Sequence, residues 1–225
     1  MRRFARRTAA HHAATRETAV AHRVAALVLD YPGSELLALL PDLRVAVATL
    51  PGHLRAPLEQ VLDHLDAHGP TELAAEYVRT FDLARRRSPY LSYYSYGDTR
   101  KRGVALVEYK QAYRAAGFEL AADELPDHVA VVLEFASTGD SAAQESGLRL
   151  LLAHRAGLEL LRLALLDADS PWSGALVAVC ATLPPLDGDD REAVARLAAE
   201  GPPGEEVGLE PFAPPSFATD PGARR

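Results

Sequence analysis

The chain is 225 residues long, 48% hydrophobic and 24% charged, with a formal net charge of −7, which allows one substantial core and sits near the usual upper size of a single domain. Its one cysteine, Cys180, excludes an intrachain disulfide and a cysteine-rich zinc site and suits a reducing compartment. Met1 to Arg16 holds five arginines and no acid, leaving −12 on the remainder, a surface that repels nucleic-acid phosphates and favours a partner segment bearing Arg or Lys.

Residues 1–16 read as a basic, flexible N-terminal tail, because no apolar run of the kind a secretory signal needs follows the arginines. Strand-type alternation is nearly absent, and Ala, Leu, Glu and Arg, all good helix formers, dominate. The fold class is therefore all-α: a single globular multi-helix domain over residues 17–182. The first helix runs from about Arg16 to Asp30 with Val20, Val24, Leu27 and Val28 as its stripe, and Tyr31-Pro32-Gly33 interrupts it. Ser34 caps a second helix carrying Leu36, Leu37, Leu40 and Leu43. A third spans Gly52 to His68, with Leu54, Leu58, Val61, Leu62 and Leu65 at helical intervals. Thr71 caps the next, which holds Leu73, Tyr77, Val78 and Phe81.

Asp82 to Asp98 breaks the pattern. It holds four tyrosines in seven residues (Tyr90, Tyr93, Tyr94 and Tyr96), between Pro89 and Gly97, and reads as an ordered loop or short turns. Tyrosine there suits inter-helix packing and ligand contact alike. Helix returns from Thr99 to Ala116, ended by Gly117, with Val104, Val107, Tyr109 and Tyr113 on its apolar surface. Another runs from Leu125 to Ala136, with Pro126 in its first turn and Val129, Val132, Leu133 and Ala136 as a buried stripe. After a break at Ser137 to Asp140, one long helix reaches Leu166. Charged residues (Arg149, His154, Arg155, Glu159 and Arg162) interrupt Leu148 to Leu166, the longest apolar stretch, so no stable membrane insertion is expected. The last convincing helix contains Trp172, Leu176, Val179 and Cys180. Residues 183–225 form a Pro/Gly-rich, acidic, largely flexible extension, with one weak helix over Glu192 to Glu200.

Charge is segregated. Arg79 to Arg102 contains seven basic residues and two acids, whereas Glu119 to Glu145 contains seven acids and no Lys or Arg. Asp123, Glu124 and Asp127 are the densest acids. At the start of one helix, Glu124 and Asp127 share a side and are stabilised by the free amides and dipole there. Ordinary caps explain this arrangement; so does a receptor for a basic peptide, in which apolar helix faces take hydrophobic residues and carboxylates orient Arg or Lys. His128 adjoins the acids. No nucleophile accompanies it, no HExxH motif or dense histidine set supports a metal, and GxxxxGK[ST] and GxGxxG are absent. The chain therefore reads as a binding protein and not an enzyme, with no cofactor of its own. The alternative is a helical regulatory or nucleic-acid adaptor using Arg100, Lys101 and Arg102.

Tyr77-Val78-Arg79-Thr80-Phe81-Asp82, the run from Tyr90 to Gly103, Tyr109-Lys110, Tyr113 to Gly117, Glu124-Leu125-Pro126-Asp127-His128 and Val132-Leu133-Glu134-Phe135 together resemble the delta-subunit, molybdenum-cofactor assembly chaperones of respiratory nitrate reductase, within the helical molybdoenzyme chaperones. The resemblance covers about Val20 to Ala181. It implies a cytoplasmic, all-helical chaperone that binds the immature catalytic alpha subunit, including its N-terminal peptide. Such a chaperone assists molybdenum cofactor insertion and complex assembly for nitrate respiration or assimilation. The resemblance allows transient contact with cofactor delivery proteins and implies no nucleic-acid partner. The candidate peptide-binding residues are Glu124, Asp127 and His128, which match the E-x-x-D-H element, with Asp123, Tyr77, Phe81, Tyr93 and Tyr94 beside them.

Overall fold

The structure is a computed structural model that describes residues 16–121 and 124–201. The architecture is all-helical; among the described residues the only β pairing is an isolated antiparallel bridge between Tyr90 and His128. Helix α1 covers residues 16–28. It is followed by α2 (Ser34–Ala48), α3 (Gly52–Ala67), α4 (Pro70–Tyr77), α5 (Tyr93–Tyr96), α6 (Arg100–Ala115), α7 (Val129–Ser137), α8 (Ser141–Ala153), α9 (Arg155–Asp167), α10 (Ser173–Thr182) and α11 (Gly188–Glu200). Among the described residues, no helix is long and apolar enough to cross a membrane.

The core follows from helical periodicity. Ala21, Val24, Ala25 and Val28 bury one face of α1, and Leu54, Leu58, Val61, Leu62 and Leu65 one face of α3. Helix α10 lies on α3, and their approach needs Gly174: a Cβ there would stand 2.1 Å from the Pro57 carbonyl oxygen. Trp172 is fully buried, with its ring 5.9 Å from Tyr77, 5.8 Å from Phe81 and 5.8 Å from His64, all edge-on. Tyr77 and Phe81 lie one turn apart, and a π-helical turn over Val78–Asp82 extends α4 so that both rings reach the indole.

Several boundaries differ from the sequence reading. Gly33 and Gly69, not Ser34 and Thr71, occupy the N-cap positions of α2 and α4, and Pro70 fills the first turn of α4. On α6 the buried stripe is Ala105, Tyr109 and Tyr113, while Val104 and Val107 face out at 64% and 52% exposure. The expected long helix is two. His154 breaks it by turning out of helical geometry, with its ring stacked 4.9 Å from Tyr109. The break lets α8 bury Ala143, Gly147 and Leu151 against α7, while α9 turns Leu158, Leu161 and Leu165 towards α10 and the tyrosine segment. The weak helix at the C-terminal end is α11, started by Asp187, whose carboxylate accepts from the Asp190 amide at 2.8 Å, and packed on α9. Of the expected tail over residues 1–16, residues 1–15 lie outside the described residues and Arg16 opens α1; residues 202–225 also lie outside them.

Candidate functional site

The E-x-x-D-H element does not begin a helix. Helix α7 starts at Val129, and His128 is its N-cap: the ring Nδ1 accepts from the Ala130 amide at 3.2 Å. The four residues before it form a turn, so Glu124 and Asp127 leave in different directions. The proline that was expected inside the helix lies in that turn, where the Pro126 carbonyl accepts from the Tyr113 hydroxyl at 2.6 Å.

Asp127 points inward and is 0% exposed. Its Oδ2 accepts from Ser92 Oγ at 2.5 Å and from Arg102 Nη2 at 3.3 Å. Arg102 also reaches Asp98 at 3.2 Å and lies over the Tyr90 ring, 5.2 Å from its centroid. Backbone bonds run alongside: Leu91 N–H donates to Asp127 O at 2.9 Å, and Val129 N–H to Pro89 O at 2.8 Å. Gly157 brings α9 against the same segment, since a Cβ there would meet Leu91 O at 2.8 Å. The tyrosine segment, the start of α6 and the turn before α7 are thus clasped around one buried carboxylate. A charge held this way is costly to expose or to leave unpaired.

The aromatic candidates divide in the same manner. Tyr77, Phe81 and Tyr94 are buried. Tyr77 donates to Leu29 O at 3.1 Å and Tyr94 to Ser88 O at 2.9 Å, and burial pushes both phenols well above their ordinary range. Tyr93 is half-buried, its ring 6.1 Å from that of Tyr94. These contacts are packing contacts. Asp123 lies outside the described residues.

Glu124 and His128 face a cleft. It has a volume of about 420 Å³ and opens between α1 and α7, bounded at one end by residues 118–121. Ala26, Leu27, Phe118, Val131 and Phe135 supply its apolar lining, and Asp30, Glu119, Glu124 and Glu134 its carboxylates. Among the described lining residues the single guanidinium, Arg23, pairs with Glu134. Four acids to one base give the rim a negative potential over an apolar floor, the division of labour that a basic amphipathic segment requires. Burial lowers the His128 pKa, so its ring is neutral at neutral pH. With Nδ1 accepting from Ala130, the ring proton sits on Nε2 as a donor. Asp30, Glu119 and Glu134 were not singled out from the sequence. Their signal is weak: each stands alone, and only the meeting of α1 with α7 assembles them.

Among the described residues no group of three or more His, Cys, Asp or Glu is placed to hold a metal ion. Arg102 is turned to Asp127, while Arg100 and Lys101 are exposed.

Comparison with known proteins bears on the same residues. The family model described as "Nitrate reductase delta subunit" matches residues 48–178. The "Nitrate reductase-like protein NarX" of Mycobacterium tuberculosis is 36% identical over 163 residues, covering 72% of this chain but 24% of its own length. The "Probable nitrate reductase molybdenum cofactor assembly chaperone NarJ" of Bacillus subtilis is 32% identical over 120 residues, 53% of this chain and 65% of its own length. The corresponding NarJ of Escherichia coli is 30% identical over 125 residues, 54% of this chain and 53% of its own length. The chain thus spans about a quarter of NarX and between half and two thirds of the two NarJ proteins. A match over more than half the chain, across the clasp and most of the cleft, is decisive: the chain belongs to the nitrate reductase delta subunit family.

Proposed function

We propose that this chain is a chaperone for nitrate reductase maturation, and that its α1–α7 cleft holds a basic, amphipathic segment of the immature catalytic alpha subunit, its N-terminal peptide foremost. The observation that carries this reading is the acidic rim over an apolar floor. Apolar side chains of the segment fill the floor; its Arg or Lys pair with Glu119, Glu124 and Asp30; and His128 Nε2 donates to a backbone carbonyl. While so held, the subunit stays open to molybdenum cofactor insertion and does not dock prematurely. The chain performs no covalent step. Its place of work is the cytoplasm, and contact with cofactor delivery proteins is transient.

Family membership supports the assembly role, and the names of the NarJ relatives describe it for those proteins. Isothermal titration of the alpha-subunit N-terminal peptide into the full chain tests the cleft. Submicromolar, salt-sensitive binding that weakens at least about tenfold in the Glu119→Lys/Glu124→Lys variant, with its melting temperature kept, is the expected result. Unchanged affinity in that variant rejects the cleft as the receptor.

A further inference from the structure

A second constellation lies where α9, α10 and the start of α11 meet, built from elements that take no part in the cleft. Arg155 and Glu159, one turn apart on α9, are both buried. Glu159 Oε1 accepts from Arg155 Nη2 at 2.7 Å, and its Oε2 accepts from Arg162 Nε at 2.7 Å. One carboxylate therefore serves two guanidinium groups. Arg191 joins them from α11, its Nη2 donating to Leu186 O at 2.9 Å. These four charged residues, with Cys180 among their neighbours, line a cavity of about 260 Å³.

The charge in this cavity does not balance. Among the described lining residues three guanidinium groups meet one carboxylate, and burial pushes the Cys180 thiol up to about 12, so it adds no negative charge at neutral pH. Arg155 Nε and Nη1 are buried and have no partner among the described residues. A buried guanidinium with unused donors costs free energy that a bound acceptor would recover.

We propose that this cavity binds a phosphate-type oxyanion, either inorganic phosphate or the phosphate of a monoester, through Arg155, Arg162 and Arg191. The guanidinium fork matches paired oxyanion oxygens. A phosphate carries about two negative charges at neutral pH, which equals the local excess, and its tetrahedral oxygens can meet donors arriving from two helices at once. A carboxylate brings half the charge and two coplanar oxygens, and leaves one arginine unserved.

The test is calorimetric titration of the full chain with sodium phosphate and, separately, with glycerol 3-phosphate, at fixed ionic strength with chloride as the control. Saturable one-to-one binding of either is expected. Arg191→Ala, at an exposed position, should weaken it at least about tenfold and Arg191→Lys less; Arg162→Gln should act as Arg191→Ala does. Tighter binding of the monoester assigns the site to a phosphorylated ligand, and tighter binding of inorganic phosphate assigns it to the free anion. Absence of saturable binding by both overturns the proposal, as does an affinity unchanged in the Arg191→Ala variant. Neither outcome touches the peptide reading, because no residue of the cleft is altered.

Discussion

Two acidic residues three positions apart in one motif, Asp127 and Glu124, end in opposite environments. Asp127 is 0% exposed and serves Ser92 and Arg102, whereas Glu124 is exposed on the lining of the cleft. On the proposed reading a single sequence element does two jobs. Its inner carboxylate ties the tyrosine segment to the start of α7, and that tie fixes the wall on which the outer residues present themselves. A clasp must be rigid, and a receptor rim must stay wet and able to exchange partners.

Breaking the clasp should give the largest effect. Asp127→Ala leaves the Ser92 hydroxyl and the Arg102 guanidinium without their buried acceptor, and should cost about 3 kcal/mol of unfolding free energy; chemical denaturation measures it. Peptide affinity should fall with it, because the cleft wall loosens, while Arg102→Lys, which keeps the charge but loses the fork, should cost less.

Acid should act next, and again on the interior. Burial pushes His22 down to about 4 and lowers His128 and His154 as well. In the unfolded chain each protonates near its ordinary value of about 6.5, so below that pH the unfolded state binds more protons. The stability they contribute is complete above about pH 6.5 and is lost as pH falls through their folded values. His22, whose Nε2 donates to Thr182 Oγ1 at 2.8 Å, alone accounts for about 3 kcal/mol by pH 4. His22→Gln should flatten the fall of melting temperature between pH 6.5 and pH 4; an unchanged slope would show that His22 is not its source.

A smaller, sharper cut is Tyr113→Phe. It removes only the 2.6 Å hydrogen bond to Pro126 O and should cost about 1 kcal/mol, with the aromatic contact to Phe135 retained. The rim should be nearly silent in stability. Glu119→Lys/Glu124→Lys is expected to shift unfolding by no more than about 1 kcal/mol, the range of an exposed polar or ionic contact, so any large loss of peptide affinity in it reports on the rim itself.

The helices were legible because burial follows sequence period: the stripes of α3 and α7 are the apolar repeats read from the chain, whereas on α1 Val24 and Val28 are buried with Ala21 and Ala25, and Val20 and Leu27 are only partly buried. Membership of the helical chaperone family was legible from the joint occurrence of the tyrosine run and the E-x-x-D-H element, and the family match agrees. What stayed hidden depends on contacts between distant positions. Ser92 and Arg102 are 35 and 25 residues from Asp127, so the sequence displays its charge and not its partners. Likewise, Val104 and Val107 were read on one apolar surface with Tyr109 and Tyr113, yet only the tyrosines, joined by Ala105, are buried, with Tyr109 stacked on His154. The cleft was only half visible: Glu124 and His128 come from the motif, while Arg23 comes from α1 and Asp30 from the bend that follows it, brought to the cleft only where α1 meets α7.

The most direct test of the central claim is a titration of the alpha-subunit N-terminal peptide into three proteins of verified fold: wild type, Glu119→Lys/Glu124→Lys, and Tyr113→Phe. Affinity lost at least about tenfold in the rim variant, and changed less than about threefold in Tyr113→Phe, which keeps the ring that lines the cleft and removes only a buried hydrogen bond, is what a cleft receptor predicts. Equal affinity in all three would contradict it.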